Sequence, residues 1–314
     1  MSNVLQPHVE LISDCQCGTG ESPVWVAAEQ ALYWVDIPSA RLYRWHAASG
    51  QVQHWQTPEM IGCIAVNATR SGFIAGMETG VFAFDNPALS ANALPHHPLT
   101  TQRLASVVHA QDGMRFNDGR CDRQGRFWAG TMVINNPTAQ ASGALYRYTA
   151  DQGLTVFLQG LLTPNGLAFS PDGRRMYLSD SHPQSQCIWV FDYDIDTGTP
   201  SHQRLWVDMK SLPGRPDGAA VDADGCYWIC GNDAGLVHRF TPDGRLDRSI
   251  RVPILKPAMC AFGGADLSTL FVTSIRPSGM DLSDQPLAGG VFAFQPGVQG
   301  LPEPAFQPST DQVQ

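Results

Sequence analysis

Six times along this chain a short apolar segment leads into a turn, then into two strand-like runs of fixed character. The first run opens on an aromatic or large apolar residue, as in Tyr33-Trp34-Val35-Asp36, Phe127-Trp128-Ala129-Gly130, Tyr177-Leu178-Ser179-Asp180, Tyr227-Trp228-Ile229-Cys230 and Leu270-Phe271-Val272-Thr273. The second alternates large apolar with polar or small residues: Leu42–Trp45, Val81–Phe84, Leu145–Tyr148, Ile188–Phe191, Val237–Phe240 and Val291–Phe294. Alternation with a period of two, punctuated by turns such as Ser170-Pro171-Asp172-Gly173, argues for strands and hairpins rather than helix. Copies recur every 40 to 55 residues, about the length of a four-stranded propeller blade. The spacing therefore predicts an all-β fold, a six-bladed β-propeller of four-stranded antiparallel blades beginning near Glu21, Gly62, Asn117, Asn165, Asp217 and Ala258.

The copies run from about residue 8 to about residue 297 and fill nearly all of the 314 residues, so one domain is expected. His8-Val9-Glu10-Leu11-Ile12 reads as a strand that closes the ring on the last blade, which removes an exposed sheet edge. The Pro- and Gln-rich stretch from Pro302 to Gln314 is expected to trail over the surface.

Aligning the copies puts Glu21, Asn117, Asn165 and Asp217 at the same phase, where Gly62 and Ala258 stand in the other two. Equivalent positions of a closed array point at one axis at one height. Two carboxylates and two amides thus converge from distant segments. Burying an unpaired Glu and Asp near an axis costs several kcal/mol, a penalty that a divalent cation removes. Asx-Gly pairs are also ordinary turn chemistry, and Asp172, Asp224 and Asp243 are read as hairpin-turn residues on that ground. Hard oxygen donors, two of them anionic, suit Ca, Mg, Mn, Zn or Fe(II) without choosing among them. Of the nine histidines, His182, just beyond Asp180, is placed at the channel mouth.

Other chemistries lack their signatures. No Gly-x-Ser-x-Gly elbow, Walker A loop or His-Glu-x-x-His occurs, and Gly18-Thr19-Gly20 is a turn because Pro23 fills the third glycine position of a dinucleotide fingerprint. A net charge of −9 with scattered basic residues opposes nucleic-acid binding and an anionic membrane partner. No segment has the length of a bilayer span, and Met1 to Pro7 does not read as a signal peptide, so a soluble, cytoplasmic protein is expected, a monomer or weak homo-oligomer. The eight cysteines form no paired Cys-x-x-Cys set; Cys15 and Cys17 are too close for an ordinary bridge, and most of the others read as buried small apolar residues.

Five motifs in order carry a resemblance over essentially the whole chain. They are Gly20-Glu21-Ser22-Pro23-Val24-Trp25; Arg115-Phe116-Asn117-Asp118-Gly119 continuing to Ala129-Gly130-Thr131-Met132; Pro164-Asn165-Gly166-Leu167-Ala168-Phe169; Pro216-Asp217-Gly218; and Cys260-Ala261-Phe262-Gly263-Gly264 leading to Val272-Thr273-Ser274. On these the chain resembles the SMP-30/gluconolactonase/luciferin-regenerating family. The resemblance implies a divalent metal held by Glu21, Asn165 and Asp217, with Asn117 beside it and Arg115 on the substrate. It departs from some sugar-lactonase members at Asn135, where they carry an acidic substrate-binding residue. The implied activity is opening of a sugar lactone to an aldonic acid, with Asp217 as general base or, alternatively, the ion itself activating the water. Arg115, Asn117, Asn135 and His182 would face the hydroxyls. The rival readings are an aryl-lactone or organophosphate esterase, which would favour a more apolar pocket, and a calcium-binding propeller without catalysis.

Overall fold

The computed structural model describes residues 4–69, 71–90 and 98–308. Six antiparallel sheets follow one another around a ring, and the described helical segments are three single turns of 3-10 type. The inner strands are Gly20–Val26, Ile61–Asn67, Met114–Cys121, Pro164–Phe169, Arg215–Val221 and Pro257–Gly263, so each expected blade start falls inside one. The aromatic runs are the second strands and the alternating runs the third. Second strands are buried along almost their whole length because neighbouring blades cover both faces, and this accounts for the fully buried Trp34, Trp128, Trp228, Tyr33, Tyr177 and Tyr227.

The ring closes as the sequence indicates. Glu10–Ser13 is the outer strand of blade 6 and pairs antiparallel with Val291–Phe294, Glu10 opposite Ala293. Val4–Leu5 adds a short parallel strand to the edge of blade 5, an extension the sequence reading did not include.

The C-terminal segment departs from expectation. Within its described part, Phe306 is 3% exposed and packs with Tyr148, its N–H donates to Val66 O, and its carbonyl accepts from Ala68. Glu303 pairs with Arg120 at 3.2 Å, and Gln307 N–H donates to Gly125 O. Instead of trailing, the segment runs under the ring against blades 2 and 3, because one aromatic anchor and one ion pair outweigh a polar composition. Residues 309–314 of that stretch lie outside the described residues. Arg120 also reaches across the channel from blade 3 to Ala219 O of blade 5, filling its lower end.

Candidate active site

Glu21, Asn117, Asn165 and Asp217 sit in the inner strands of blades 1, 3, 4 and 5, all buried. Each of those strands breaks register beside the landmark: between Glu21 and Val24, Phe116 and Gly119, Asn165 and Ala168, and Pro216 and Ala219. A bulge bends the strand and re-aims a side chain that a regular pleat would turn into the sheet face. At blade 4 the bulge needs glycine. Gly166 has φ +59°, and a Cβ there would stand 2.4 Å from the Tyr227 hydroxyl, which donates to Gly166 O at 2.6 Å.

Hydrogen bonds link the landmarks of blades 3, 4 and 5. Arg115 Nη1 donates to Asn117 Oδ1 and to Phe116 O, both at 2.8 Å. Asn117 Nδ2 donates to Asn165 Oδ1 at 2.9 Å, and Asn165 Nδ2 to Ser181 Oγ at 2.6 Å. Ser181 Oγ in turn donates to Pro216 O, and Asn232 Nδ2 donates to Asp217 Oδ2, each at 2.6 Å. Glu21, from blade 1, is not hydrogen-bonded to these landmarks among the described residues; its Oε2 accepts the Ser22 N–H at 3.2 Å. Ser181 and Asn232 were not singled out from the sequence. Both stand at the ends of second strands, where the hairpin register sets Asn232 opposite Arg215, and counting that register would have found Asn232.

The electrostatics are those of two acids competing for one buried space. Burial, and after it the negative charges of Asp217 and Asp118, push the Glu21 carboxyl well above the usual range. Burial pushes Asp217 up to about 7, opposed by the Asn232 hydrogen bond. Arg115 is pushed down to about 10 by burial, with the charge of Glu21 acting the other way. Below them Asp118 accepts the Leu167 N–H through Oδ2, while its buried Oδ1 has no partner among the described residues.

Of the expected substrate wall, Arg115 and Asn117 are in this cluster. His182 and Asn135 are not hydrogen-bonded into it. His182 is half-buried just past the second strand of blade 4, Nδ1 accepting the Gln184 N–H, and Asn135 is exposed on the loop after the second strand of blade 3.

No group of three or more His, Cys, Asp or Glu side chains suited to a metal occurs among the described residues, so a cation at the axis depends on an amide as third donor. The donors fit one. Glu21 Oε1 and Asp217 Oδ1 have no hydrogen-bond partner among the described residues, and Asn165 Oδ1 keeps a second lone pair. Two desolvated carboxyls raised by burial, with a third acid acting on both, are the arrangement a hard divalent ion neutralises.

Fold and site together define a class: six-bladed propellers with acid and amide oxygens gathered at the head of the central channel. The chain belongs to the SMP-30/Gluconolactonase/LRE-like family, whose pattern matches residues 19–276. A 6-deoxy-6-sulfogluconolactonase of Pseudomonas putida is 39% identical over 289 residues, covering 91% of this chain and 94% of that protein. Regucalcin of Sus scrofa is 34% identical over 302 residues, covering 94% and 96% respectively. A crystal structure of the calcium-binding protein regucalcin from Agrobacterium tumefaciens superposes with a TM-score of 0.88 at 26% identity, covering 98% of this chain and 100% of that one.

Proposed function

We propose that this protein is a metal-dependent sugar lactonase that opens aldono-1,4- or 1,5-lactones of the gluconolactone type to aldonic acids. The observation that carries the reading is the buried Glu21, Asp217 and Asn165 set, with its free oxygens and Arg115 alongside, in a family relative of a sulfogluconolactonase. A divalent cation held by Glu21, Asn165 and Asp217 would supply positive charge to the lactone carbonyl oxygen. Asn232 fixes one Asp217 oxygen, and the other, which would also lie on the cation, is the one placed to take a proton from the attacking water. The water oxygen bonds to the carbonyl carbon, the ring C–O bond breaks, and the proton passes to the departing ring oxygen. Arg115, locked onto Asn117, retains donors for substrate oxygens; Asn135 and His182, outside that cluster, are the residues we propose for the hydroxyls of the outer edge. The buried groups gathered here, Glu21, Arg115, Asn117, Asn165 and Asp217, are polar and favour a hydroxylated ligand over an aryl ester. Eight free cysteines are compatible with a reducing compartment, and the cytoplasm is the location we propose.

Proton release on a panel of aldonolactones, an aryl ester and a phosphotriester, with and without chelator, tests the reading. Lactone hydrolysis lost on chelation and restored by one divalent ion is expected. The Asp217→Asn protein, folded by circular dichroism, is expected to lose turnover at least a thousandfold even where it still binds metal. A folded Asp217→Asn protein at wild-type rate overturns the mechanism, and calcium binding without hydrolysis of any lactone overturns the activity.

A further inference from the structure

Arg215 and Lys256 repeat, in blades 5 and 6, the place that Arg115 holds in blade 3, each two residues before the landmark of its inner strand. In blades 1, 2 and 4 that place carries Thr19, Met60 and Thr163. Both bases converge on one carboxylate. Arg215 Nε donates to Asp233 Oδ2 at 2.6 Å, the Lys256 ammonium pairs with Asp233 Oδ1, and Arg215 Nη1 holds Ser181 O at 3.1 Å. Side-chain exposures are 29% for Arg215, 19% for Lys256 and 37% for Asp233, so the group is reachable from solvent yet adjoins the site. Its adjacency is electrostatic as well as spatial, because Arg215 and Asp233 both act on the Asp217 carboxyl.

Arg215 and Lys256 share one ion-pair partner, Asp233, among the described residues. If the group only stapled blade 5 to blade 6, one base would suffice, and a second brings like-charge repulsion. A second anion lodged between them offsets that repulsion. With Arg215 Nε on Asp233 and Nη1 on Ser181 O, Nη2 is the guanidinium nitrogen left without a partner among the described residues, and it can donate to such an anion. Arg215 and Asp217 stand two residues apart on one inner strand, about 6.6 Å along it, a span that an anionic group borne on the carbon outside the lactone ring can bridge from a carbonyl placed at Asp217.

We propose that Arg215 and Lys256 form a subsite for an anionic group, a sulfonate, carboxylate or phosphate, on the lactone carbon remote from the carbonyl, and that they set a preference for charged over neutral sugar lactones. This rests on the lactonase reading above. The test compares kcat/KM for gluconolactone with that for its 6-deoxy-6-sulfo, 6-carboxylate and 6-phosphate counterparts, in the wild type and in Arg215→Gln and Lys256→Gln, each checked for fold. The wild type is expected to favour at least one charged lactone tenfold or more, and the order of the three identifies the anion. Each substitution is expected to lower the charged-to-neutral ratio by about ten- to a hundredfold, through KM, and added salt to erode it. A ratio near one in the wild type, or a ratio unmoved in both variants, overturns the subsite. If no lactone is turned over, the lactonase reading fails on its own, and calorimetry with gluconate and 6-deoxy-6-sulfogluconate still decides. Tighter binding of the sulfonate that weakens in Lys256→Gln supports the subsite, and equal binding of the two overturns it.

Discussion

Arg115 is the residue whose placement the sequence predicts best, because it stands two positions before an axial amide and the structure locks it onto that amide. Arg115 makes no ion pair with its sequence neighbours Asp112 and Asp118 among the described residues; its partners are Asn117 and the Phe116 carbonyl. Losing a charge-assisted hydrogen bond costs about 1.5 to 3 kcal/mol, so Arg115→Ala is expected to lower kcat/KM for an aldonolactone about ten- to a hundredfold. Cation affinity, measured by calorimetry on the same variant, is expected to stay within about twofold. A variant that loses the cation but keeps full activity per loaded site would make Arg115 structural. Glu21, Asn117, Asn165 and Asp217 were legible for a different reason, since repeat phase alone projects them onto one axis. Asn232, Ser181 and Asp233 were not, because they reach the site through strand pairing and loop ends, which phase does not encode.

Among the elements, the loop that delivers Arg215 and Asp217 is held by a buried histidine. His238 is 0% exposed on the third strand of blade 5, with Nε2 2.9 Å from Pro213 O and Nδ1 2.8 Å from Ser249 Oγ. Nε2 carries the proton toward the carbonyl, leaving Nδ1 to accept from the hydroxyl. Burial lowers the His238 pKa, the Pro213 hydrogen bond opposing it. The native state thus favours the neutral ring. Its contribution to stability is whole above the unfolded value of about 6.5 and is lost as pH falls from there through the lowered native value. Urea midpoints between pH 8 and pH 5 are expected to fall in the wild type below about pH 6.5 and to fall less steeply in His238→Gln. Identical slopes would remove His238 from the account. The strands themselves were legible from period-two alternation. Their bulges were not, because a register shift depends on the partner strand as much as on the local sequence.

At the scale of the molecule, one aromatic ring decides what the C-terminal segment does. Phe306 lies in the cluster of blades 2 and 3 with Phe127, Tyr148 and Ala65, and no periodicity marks it in a stretch of Pro, Gln and Glu. Truncating a buried Phe costs about 3 to 5 kcal/mol, so Phe306→Ala is expected to lower the denaturation midpoint clearly while leaving the lactone kcat close to wild type, the axis being served by other residues. A midpoint unchanged by the substitution would return the segment to the surface.

The outer strand of blade 6, Glu10–Ser13, is made before the six inner strands, and its partner Val291–Phe294 after all of them. A chain growing from the ribosome therefore carries that strand unpaired while blade after blade forms behind it, and the ring stays open at one seam until Val291–Phe294 has been made. Contacts so distant in sequence form slowly, and an exposed seam invites pairing with another nascent copy. A polypeptide cut short before Val291 leaves Glu10–Ser13 without its partner and keeps an open sheet edge.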